Sequence, residues 1–387
     1  MGNYKPQIHF PEGLGRICNN TMIIIQLRCF FEIVTRIIGY CRNYHGFLCG
    51  QHRKISIAPG ASSRDNHGNT PLRYEDLAGR RHWFLGPLLL LASLSGHAST
   101  DVKTGFNLAQ VAPGVYVHHG RMVSVDQPGR DDIANIGFII GKDCVAVIDT
   151  GGSVRIGKLL RQAIHSTTNV PVCYVINTHI HYDHVLGNAA FEGHGVEFIG
   201  HERLAPAIEA NREFFLKNFR QELGPDASTA SIIGPDRLVH DTLELDLGGR
   251  KLLLAAHPPA HTNNDLTVYD EQTRTLWLSD LLFMQRIPAL DGSLKGWLAV
   301  LKKLMAMPAD RAIPGHGPVS APWPGAARDE LRYLETLRDQ IRAKLKQGLF
   351  MEQIIDQVGS KEKTRWLLYE HQHKRNVSRA FTELEWE

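Results

Sequence analysis

The stretch Thr178-His179-Ile180-His181-Tyr182-Asp183-His184 directly follows an apolar segment, residues 172–176, that is typical of a buried strand. It places three histidines and one aspartate within six positions. Imidazole nitrogen and carboxylate oxygen are donors that zinc prefers in proteins. On an irregular loop, alternate side chains can face one metal while the remaining pair faces another. A solvated polar loop is the plain alternative, but the density of donors favours a metal site.

Three further groups of polar residues follow predicted strands downstream. They contain, in chain order, His257 and His261, then Asp280, and then His316 between two glycines. Taken alone, Asp280 could equally cap a helix and His316 could occupy a turn. Strand ends in a sandwich of sheets can meet at one edge, so the four groups together predict a shared site.

The remaining pattern mixes strands and helices along the chain. Apolar runs at 136–140 and 144–148, joined by a Gly-Lys-Asp turn, predict a β-hairpin. Further strands are predicted at 237–247, 251–256, 266–269 and 275–279. Helical spacing is found at 154–164, 203–221, 294–305, 327–346, 351–358 and 365–373. This order predicts an α/β protein in which helices cover packed sheets.

The segment at 80–98 has the anatomy of a secretory signal. Arg80 and Arg81 precede about a dozen largely apolar residues, and small residues at 96–98 offer a cleavage site. The apolar core is too short for a stable membrane span, although a buried core helix is an alternative. We therefore expect a leader at 1–78 that is non-native or disordered, a signal at 79–98, and a periplasmic or secreted mature chain from residue 99.

Charge and cysteine content exclude several classes of protein. The formal net charge of +3 gives no reason to expect binding to nucleic acid or to an acidic membrane surface. No Cys-x-x-Cys pair is present, so thiolate zinc sites are not supported. Cys144 and Cys173 lie in apolar runs and are expected to be small buried hydrophobic residues.

The His-x-His-x-Asp-His motif and the ordered His, Asp and His downstream resemble the metallo-β-lactamase superfamily over residues 111–320. The resemblance implies a four-layer αβ/βα sandwich, here followed by a C-terminal helical extension at 321–387. It also implies two zinc ions, with iron as a possible substitute. The implied ligands are His179, His181 and His261 for the first metal, and Asp183, His184 and His316 for the second, with Asp280 bridging both.

Other residues are assigned by the same resemblance. Asp149, at a predicted strand end, is expected to orient the loop that carries the ligands. For Asp265, a hydrogen bond to a ligand histidine is considered but is not the favoured role. For His257 a structural role is expected ahead of a supporting role at the metal site, and His201 is expected to cap the helix that follows it.

The implied function is hydrolysis of an ester, thioester or amide-type bond in a small molecule by a zinc-activated hydroxide, with Asp183 or Asp280 accepting a proton. An aspartate at position 280 is similar to glyoxalase II-type members rather than to dedicated β-lactamases. The exported chain and its C-terminal tail at 374–386 resemble the quinoprotein relay system zinc metallohydrolases, which implies a periplasmic quinoprotein partner system.

Three alternatives are open at this point. They are a β-lactamase-like enzyme, an iron-dependent member similar to the sulfur dioxygenases, and a metal-binding accessory protein without catalytic activity. Substrate specificity is expected to lie in the loop at 224–235 and in the C-terminal helices.

Overall fold

The computed structural model describes residues 106–193 and 195–387. The predicted signal segment and the leader before it lie outside the described residues. In the described part, strands and helices alternate in two sheets with helices against them, which confirms the α/β class.

Seven strands form the first sheet in chain order. They are β1 (Leu108–Ala112), β2 (Val115–His118), β3 (Ile136–Ile140), β4 (Val145–Ile148), β5 (Val172–Asn177), β6 (Glu197–His201) and β7 (Arg237–Val239). Strands β1 to β4 pair antiparallel, whereas β4 to β7 pair parallel. The predicted hairpin is therefore β3–β4, and the ligand-bearing loop leaves the carboxyl end of β5.

Six strands form the second sheet in the order β13-β12-β11-β10-β9-β8. They are β8 (Thr242–Asp246), β9 (Lys251–Ala256), β10 (Leu266–Asp270), β11 (Thr275–Phe283), β12 (Arg311–His316) and β13 (Ala321–Pro322). Only β11 and β12 pair parallel. Their carboxyl ends therefore lie side by side, and these ends carry Asp280 and His316.

Eight α-helices are assigned within the described residues. They are α1 (Val154–Thr167), α2 (Tyr182–Val185), α3 (Leu204–Asn218), α4 (Arg220–Leu223), α5 (Leu294–Met305), α6 (Arg328–Leu345), α7 (Met351–Ile354) and α8 (Tyr369–Leu384). Helix α1 begins at a Ser153 cap whose hydroxyl accepts from the Ile156 amide. Its apolar face at 156, 160, 163 and 164 is buried, which is the spacing of one helix face.

Three buried clusters arrange these elements in four layers. Between the sheets, Val117 and Ile148 pack in one cluster with Trp277 and Ile313. Helix α1 covers the outer face of the first sheet, and helices α5, α6 and α8 cover the second sheet. The order helix, sheet, sheet, helix is the sandwich that the resemblance implied.

Four predicted elements have the wrong bounds. The helix predicted at 351–358 ends at Ile354, and the helix predicted at 203–221 is two helices, α3 and α4. The predicted strand 237–247 is two strands, β7 and β8, which belong to different sheets. Exposed His240 and Asp241 separate them, so the chain crosses between sheets at its most polar point. The predicted helix 365–373 is also wrong, because α8 runs from Tyr369 to Leu384. Its buried positions continue at 373, 376, 377, 380, 381 and 384.

The expectation for the two core cysteines is also corrected. Cys144 and Cys173 form a disulfide, with their Cα atoms 5.7 Å apart across the parallel strands β4 and β5. Cys144 is buried, whereas Cys173 is half-buried. The apolar runs around them predicted burial but gave no signal that the strands would be neighbours.

No helix in the described part of the chain combines the length and the apolar character needed to cross a membrane.

Candidate metal centre

The seven predicted ligands come from four segments that meet at one edge of the sandwich. His179 and His181 lie on the loop after β5, and the single turn of α2 follows at once with Asp183 and His184. The other three side chains come from the second sheet. They are His261 on the loop after β9, Asp280 within β11, and His316 at the end of β12.

Three histidines of the first group point ring nitrogens at one another. His181 Nδ1 lies 3.2 Å from His179 Nε2 and 2.9 Å from His261 Nε2. Asp280 Oδ2 lies 3.4 Å from the same His261 nitrogen. Zinc bonds of about 2.0 Å in a tetrahedron would place ligand atoms about 3.3 Å apart, so the spacing fits one shared cation.

The second group is built in the same way around Asp183. Its Oδ2 lies 3.5 Å from His316 Nε2 and 3.7 Å from His184 Nε2. Asp280 joins this group to the first, because its Oδ2 is 3.3 Å from His316 Nε2 and its Oδ1 is 3.3 Å from His184 Nε2. Asp280 is therefore placed to contact both groups, as a bridging carboxylate would.

Two buried atoms of the ligand cluster lack hydrogen-bond partners among the described residues. His184 Nε2 and Asp280 Oδ1 are shielded from solvent and make no hydrogen bond. Leaving a buried polar atom unsatisfied costs about 1–3 kcal/mol. A divalent cation would satisfy both atoms, so the residues present fit the metal pair that the resemblance implied.

Each ligand histidine is oriented by a partner at its other ring nitrogen. The acceptors are the Thr178 hydroxyl for His179 at 3.0 Å, Asp291 for His181 at 2.9 Å, Asp149 for His184 at 2.8 Å, the Ala289 carbonyl for His261 at 2.6 Å, and the Ile133 carbonyl for His316 at 2.8 Å. Such bonds fix the tautomer and aim the free nitrogen of each ring into the site.

Asp149 lies where it can hold the ligand loop in place. It is fully buried at the end of β4, with a positive φ of 56°. Its carboxylate accepts from the Thr178 amide and hydroxyl, both at 2.8 Å, as well as from His184. The side chain thus connects β4, the loop after β5 and α2, which is the contact expected of a loop-orienting residue.

The charges in the site favour cation binding. Burial lowers the pKa of His261 to about 4 and that of His179 well below its ordinary value. For Asp280, burial acts to raise the pKa, but His316, His184 and His179 outweigh it and hold the pKa well below the usual range. Neutral histidines and ionised carboxylates are the forms that bind metal.

Two ligand histidines, His181 and His184, have raised pKa values, although burial acts to lower both. Burial acts to lower the pKa of His184, but the surrounding carboxylates Asp280, Asp149 and Asp183 raise it well above its ordinary value. A proton on His184 thus occupies a place where the carboxylates attract positive charge. Metal binding at this position would therefore displace a proton.

Three other polar residues near the motifs form hydrogen bonds with residues that are not predicted metal ligands. The role considered for Asp265 is not the one it has, because within the described residues its carboxylate accepts from the Thr262 amide and hydroxyl and bonds no ligand histidine. His257 pairs with the Thr267 hydroxyl at 2.9 Å. His201 was expected to cap α3, and this is wrong, because the helix begins without a side-chain cap and His201 accepts only from the amide of Arg203, the residue that precedes the helix.

Sequence reasoning missed two residues that support the site. Asp291 contacts His181, and its other carboxylate oxygen accepts from Arg375 of α8 at 2.7 Å. Asn135 is buried beside the His316 turn, where its amide group donates to the Pro314 carbonyl at 2.9 Å and its backbone amide donates to the Gly315 carbonyl at 2.7 Å. An Asp-Gly pair at 291–292 was the only local signal for Asp291, and it indicates a turn.

A cavity of about 1030 Å³ opens onto the metal centre. Asp183, Asp280 and His316 lie in its wall. The loop after β11 and helices α3 and α8 contribute other parts of the lining. Ligand pockets typically have volumes of roughly 300–1,000 Å³, so this cavity can hold a small organic molecule next to the predicted metal ligands.

Comparison with known proteins agrees with this geometry. Residues 129–316 match the family model of the metallo-beta-lactamase superfamily. The chain is 22% identical over 254 residues to a linear primary-alkylsulfatase from Pseudomonas sp., covering 55% of this chain and 47% of that protein. It is 28% identical over 142 residues to a hydroxyacylglutathione hydrolase from Brucella anthropi, covering 36% of this chain and 45% of that protein.

A solved structure shares the fold. The stereoselective inverting sec-alkylsulfatase from Pseudomonas sp. superposes with a TM-score of 0.51 at 17% sequence identity, covering 66% of this chain and 45% of that one. The chain thus spans less than half the length of the curated relatives it matches. The matched segment runs from just before β3 to the last ligand, His316, and residues 129–316 belong to the metallo-beta-lactamase superfamily.

Proposed function

We propose that this protein is a hydrolase that holds two divalent cations and cleaves an ester-type bond in a small molecule. One observation carries the proposal. His184 Nε2 and Asp280 Oδ1 are buried and lie 3.3 Å apart, and neither atom makes a hydrogen bond within the described residues, although both belong to a cluster of oriented donors. The named activities of the relatives, on an alkyl sulfate and on a hydroxyacyl thioester, support sulfate esters and thioesters as the first substrates to test.

The chain would contribute binding, orientation and a proton acceptor. Divalent cations in such a site lower the pKa of bound water and polarise the oxygen of the bond to be cleaved. Asp183 and Asp280 both border the cavity, so either carboxylate is placed to accept a proton from a nucleophilic water. Asp149 and Thr178 are buried and keep the histidine rings in place, and Asp291, which also borders the cavity, holds His181.

We propose zinc as the resident metal. The donor set of imidazole nitrogens and carboxylate oxygens, without thiolate, suits zinc but also accommodates iron. Elemental analysis of the purified chain, together with its visible absorption spectrum, separates the two metals. Stoichiometric iron with a visible absorption band would contradict zinc as the resident metal. It would favour the alternative of an iron-dependent enzyme similar to the sulfur dioxygenases.

The decisive experiment measures metal content and hydrolysis together. His181→Ala should lower the metal content below that of the unmodified chain and abolish hydrolysis of a panel of sulfate esters, thioesters, carboxylic esters and lactams. His240→Ala is the matched control, because His240 is exposed and pairs only with Glu202. Full metal loading of the unmodified chain with no turnover of any panel member would favour a non-catalytic metal-binding protein.

We also propose that the mature chain is exported to an oxidising compartment. The disulfide between Cys144 and Cys173 supports this location, since disulfides persist outside the reducing cytosol. N-terminal sequencing of protein recovered outside the cytoplasm should find a start near residue 99. A mature chain that retains residues 1–78 would contradict the proposal. The link to quinoprotein alcohol oxidation stays a prediction, which growth of a deletion strain on alcohols would test.

A further inference from the structure

The cavity beside the metal centre carries a cation that no carboxylate of the described residues neutralises. Arg286 lies on the loop after β11 and borders the cavity. Its guanidinium makes no ion pair within the described residues. Among the described residues, the only atom within hydrogen-bond distance of the guanidinium is His316 Nδ1, 3.3 Å from Arg286 Nη1. That ring nitrogen already donates to the Ile133 carbonyl, so Arg286 faces a second donor and finds no acceptor.

Helix α8 brings two more guanidinium groups to the same cavity. Arg375 pairs with the Asp291 carboxylate, whereas Arg379 bonds only the Asp291 backbone carbonyl among the described residues. The cavity carboxylates have other partners, because Asp183 and Asp280 belong to the predicted metal ligands and Asp291 holds His181. With metal bound, the cavity therefore has an excess of positive charge and open donors for an anion.

Part of the cavity lining is apolar and exposed. Phe214 of α3 is 54% exposed and Val125 is 50% exposed, and both line the cavity. The Phe214 ring contacts the Phe219 ring edge-on, and Phe219 stacks on Tyr182 with centroids 4.3 Å apart. Large apolar side chains left open to water in a cavity mark a surface that binds an apolar partner.

We propose that the substrate is a small amphipathic anion, whose charged group binds Arg286 and Arg379 and whose apolar part lies along Phe214 and Val125. This inference rests on the proposed hydrolase function and specifies its substrate class. Arg286 is then a specificity-determining residue, because its planar guanidinium offers two parallel donors to a sulfate-, phosphate- or carboxylate-type group. The cavity is large enough to hold both parts of such a molecule at once.

The test measures binding without turnover. Titration calorimetry on the full chain, metal-loaded and after chelation, would compare octanesulfonate, its neutral analogue octyl methyl sulfone, and the short ethanesulfonate. We expect octanesulfonate to bind both forms roughly ten-fold more tightly than either comparison compound. Arg286→Met should lower octanesulfonate affinity about ten-fold while leaving the neutral sulfone and the metal content unchanged. Phe214→Ser should remove the preference for the longer chain.

Two control variants and two outcomes make the test decisive. Arg274→Met removes an exposed arginine that pairs with Asp310 away from the cavity, and Leu238→Ser removes an exposed apolar residue elsewhere. Neither variant should change the affinity for octanesulfonate. Equal binding of sulfonate and sulfone, or unchanged sulfonate binding in Arg286→Met, would overturn the inference. Either result leaves the hydrolase proposal standing, because that proposal depends on metal content and turnover.

Discussion

Gly315 leaves the space that the Asp280 carboxylate occupies. A Cβ atom at position 315 would lie 1.8 Å from Asp280 Oδ1 and 2.8 Å from the Asp280 amide. The carboxylate would have to leave its place between the two ligand groups. We therefore expect Gly315→Ala to reduce the bound metal by at least one ion per chain and to lower hydrolytic activity with it, as measured by elemental analysis and initial rates.

Gly325→Ala provides the control for this prediction. The added Cβ there would meet nothing closer than an Arg328 nitrogen at 3.8 Å, which is ordinary contact. Its metal content and rates should match those of the unmodified chain. Full metal loading of Gly315→Ala would show that Asp280 can move without cost and would contradict its assignment to both metal groups.

Asp149 acts on the metal through His184 and the Thr178 loop. Replacing it with asparagine leaves an amide group facing donors that need an acceptor. Loss of such an orienting partner typically costs 10- to 100-fold in metal affinity, and we expect Asp149→Asn to fall in that range. Competition with a chromophoric chelator measures the affinity. Asp241→Asn is the control, because Asp241 is exposed on the connection between β7 and β8. Equal metal affinities of the two variants would contradict the role of Asp149 in orienting the ligands.

At the scale of elements, helix α6 is tied to β11 by an unusual carboxyl group. Glu330 is fully buried, and its Oε1 accepts from the Phe283 amide at 2.9 Å while Oε2 has no partner within the described chain. Burial raises the pKa of Glu330 well above its ordinary value of 4.5. The folded chain therefore keeps this proton at pH values where the unfolded chain has lost it.

This difference fixes the sign of a pH effect on stability. Below the unfolded pKa both states are protonated, and as pH rises above it only the unfolded state ionises, so Glu330 makes the fold less stable toward neutral pH. Glu330→Gln cannot ionise. The variant should gain free energy of unfolding relative to the unmodified chain between about pH 5 and about pH 8. Denaturant titrations of both proteins at these two pH values measure the free energies of unfolding. If the variant and the unmodified chain differ by the same amount at both pH values, the prediction is contradicted. Glu335→Gln, whose carboxylate pairs with Lys302, is the control.

Local patterns predicted the elements better than their connections. The spacing at 294–305 and the apolar runs of the β3–β4 hairpin predicted elements that the structure contains. The break between β7 and β8 was missed because both strands are short and only tertiary packing assigns them to different sheets. Helix α8 was cut short because its polar residues hide a buried stripe that continues to Leu384.

At the scale of the whole molecule, some residues of the candidate site were predictable from local sequence patterns and others were not. Its seven predicted ligands could be found because donor-rich motifs follow strand ends, and the structure brings all seven together. Asp291, Asn135 and Arg286 carry no such local signal. Asp291 meets His181 across 110 positions and Asn135 meets Pro314 across 179, so only the folded chain reveals these contacts.

Arg250 joins the two sheets in a similar long-range way, from the turn between β8 and β9. Its Nη1 donates to the Ile140 carbonyl at 2.8 Å and the Pro113 carbonyl at 3.1 Å, both from the first sheet. Its Nε donates to Asp270 of the second sheet at 3.0 Å. Arg250 and Asp270 are both buried, so removing the arginine leaves the Asp270 carboxylate without a counter-charge, with the Thr273 hydroxyl as a remaining donor, and takes a donor from each of the two carbonyls.

We therefore expect Arg250→Met to lower the free energy of unfolding by about 3–5 kcal/mol, the usual cost of breaking one partner out of a buried pair. Arg274→Met should cost less than about 1 kcal/mol, because its pair with Asp310 is half exposed. Denaturant unfolding of both full-length variants at a fixed metal concentration measures the difference, since bound metal adds its own stabilisation. If the two variants unfold at the same denaturant concentration, the sheets do not depend on Arg250. A further Asp270→Leu change that restores part of the loss in Arg250→Met would show that the unpaired carboxylate is its main cause.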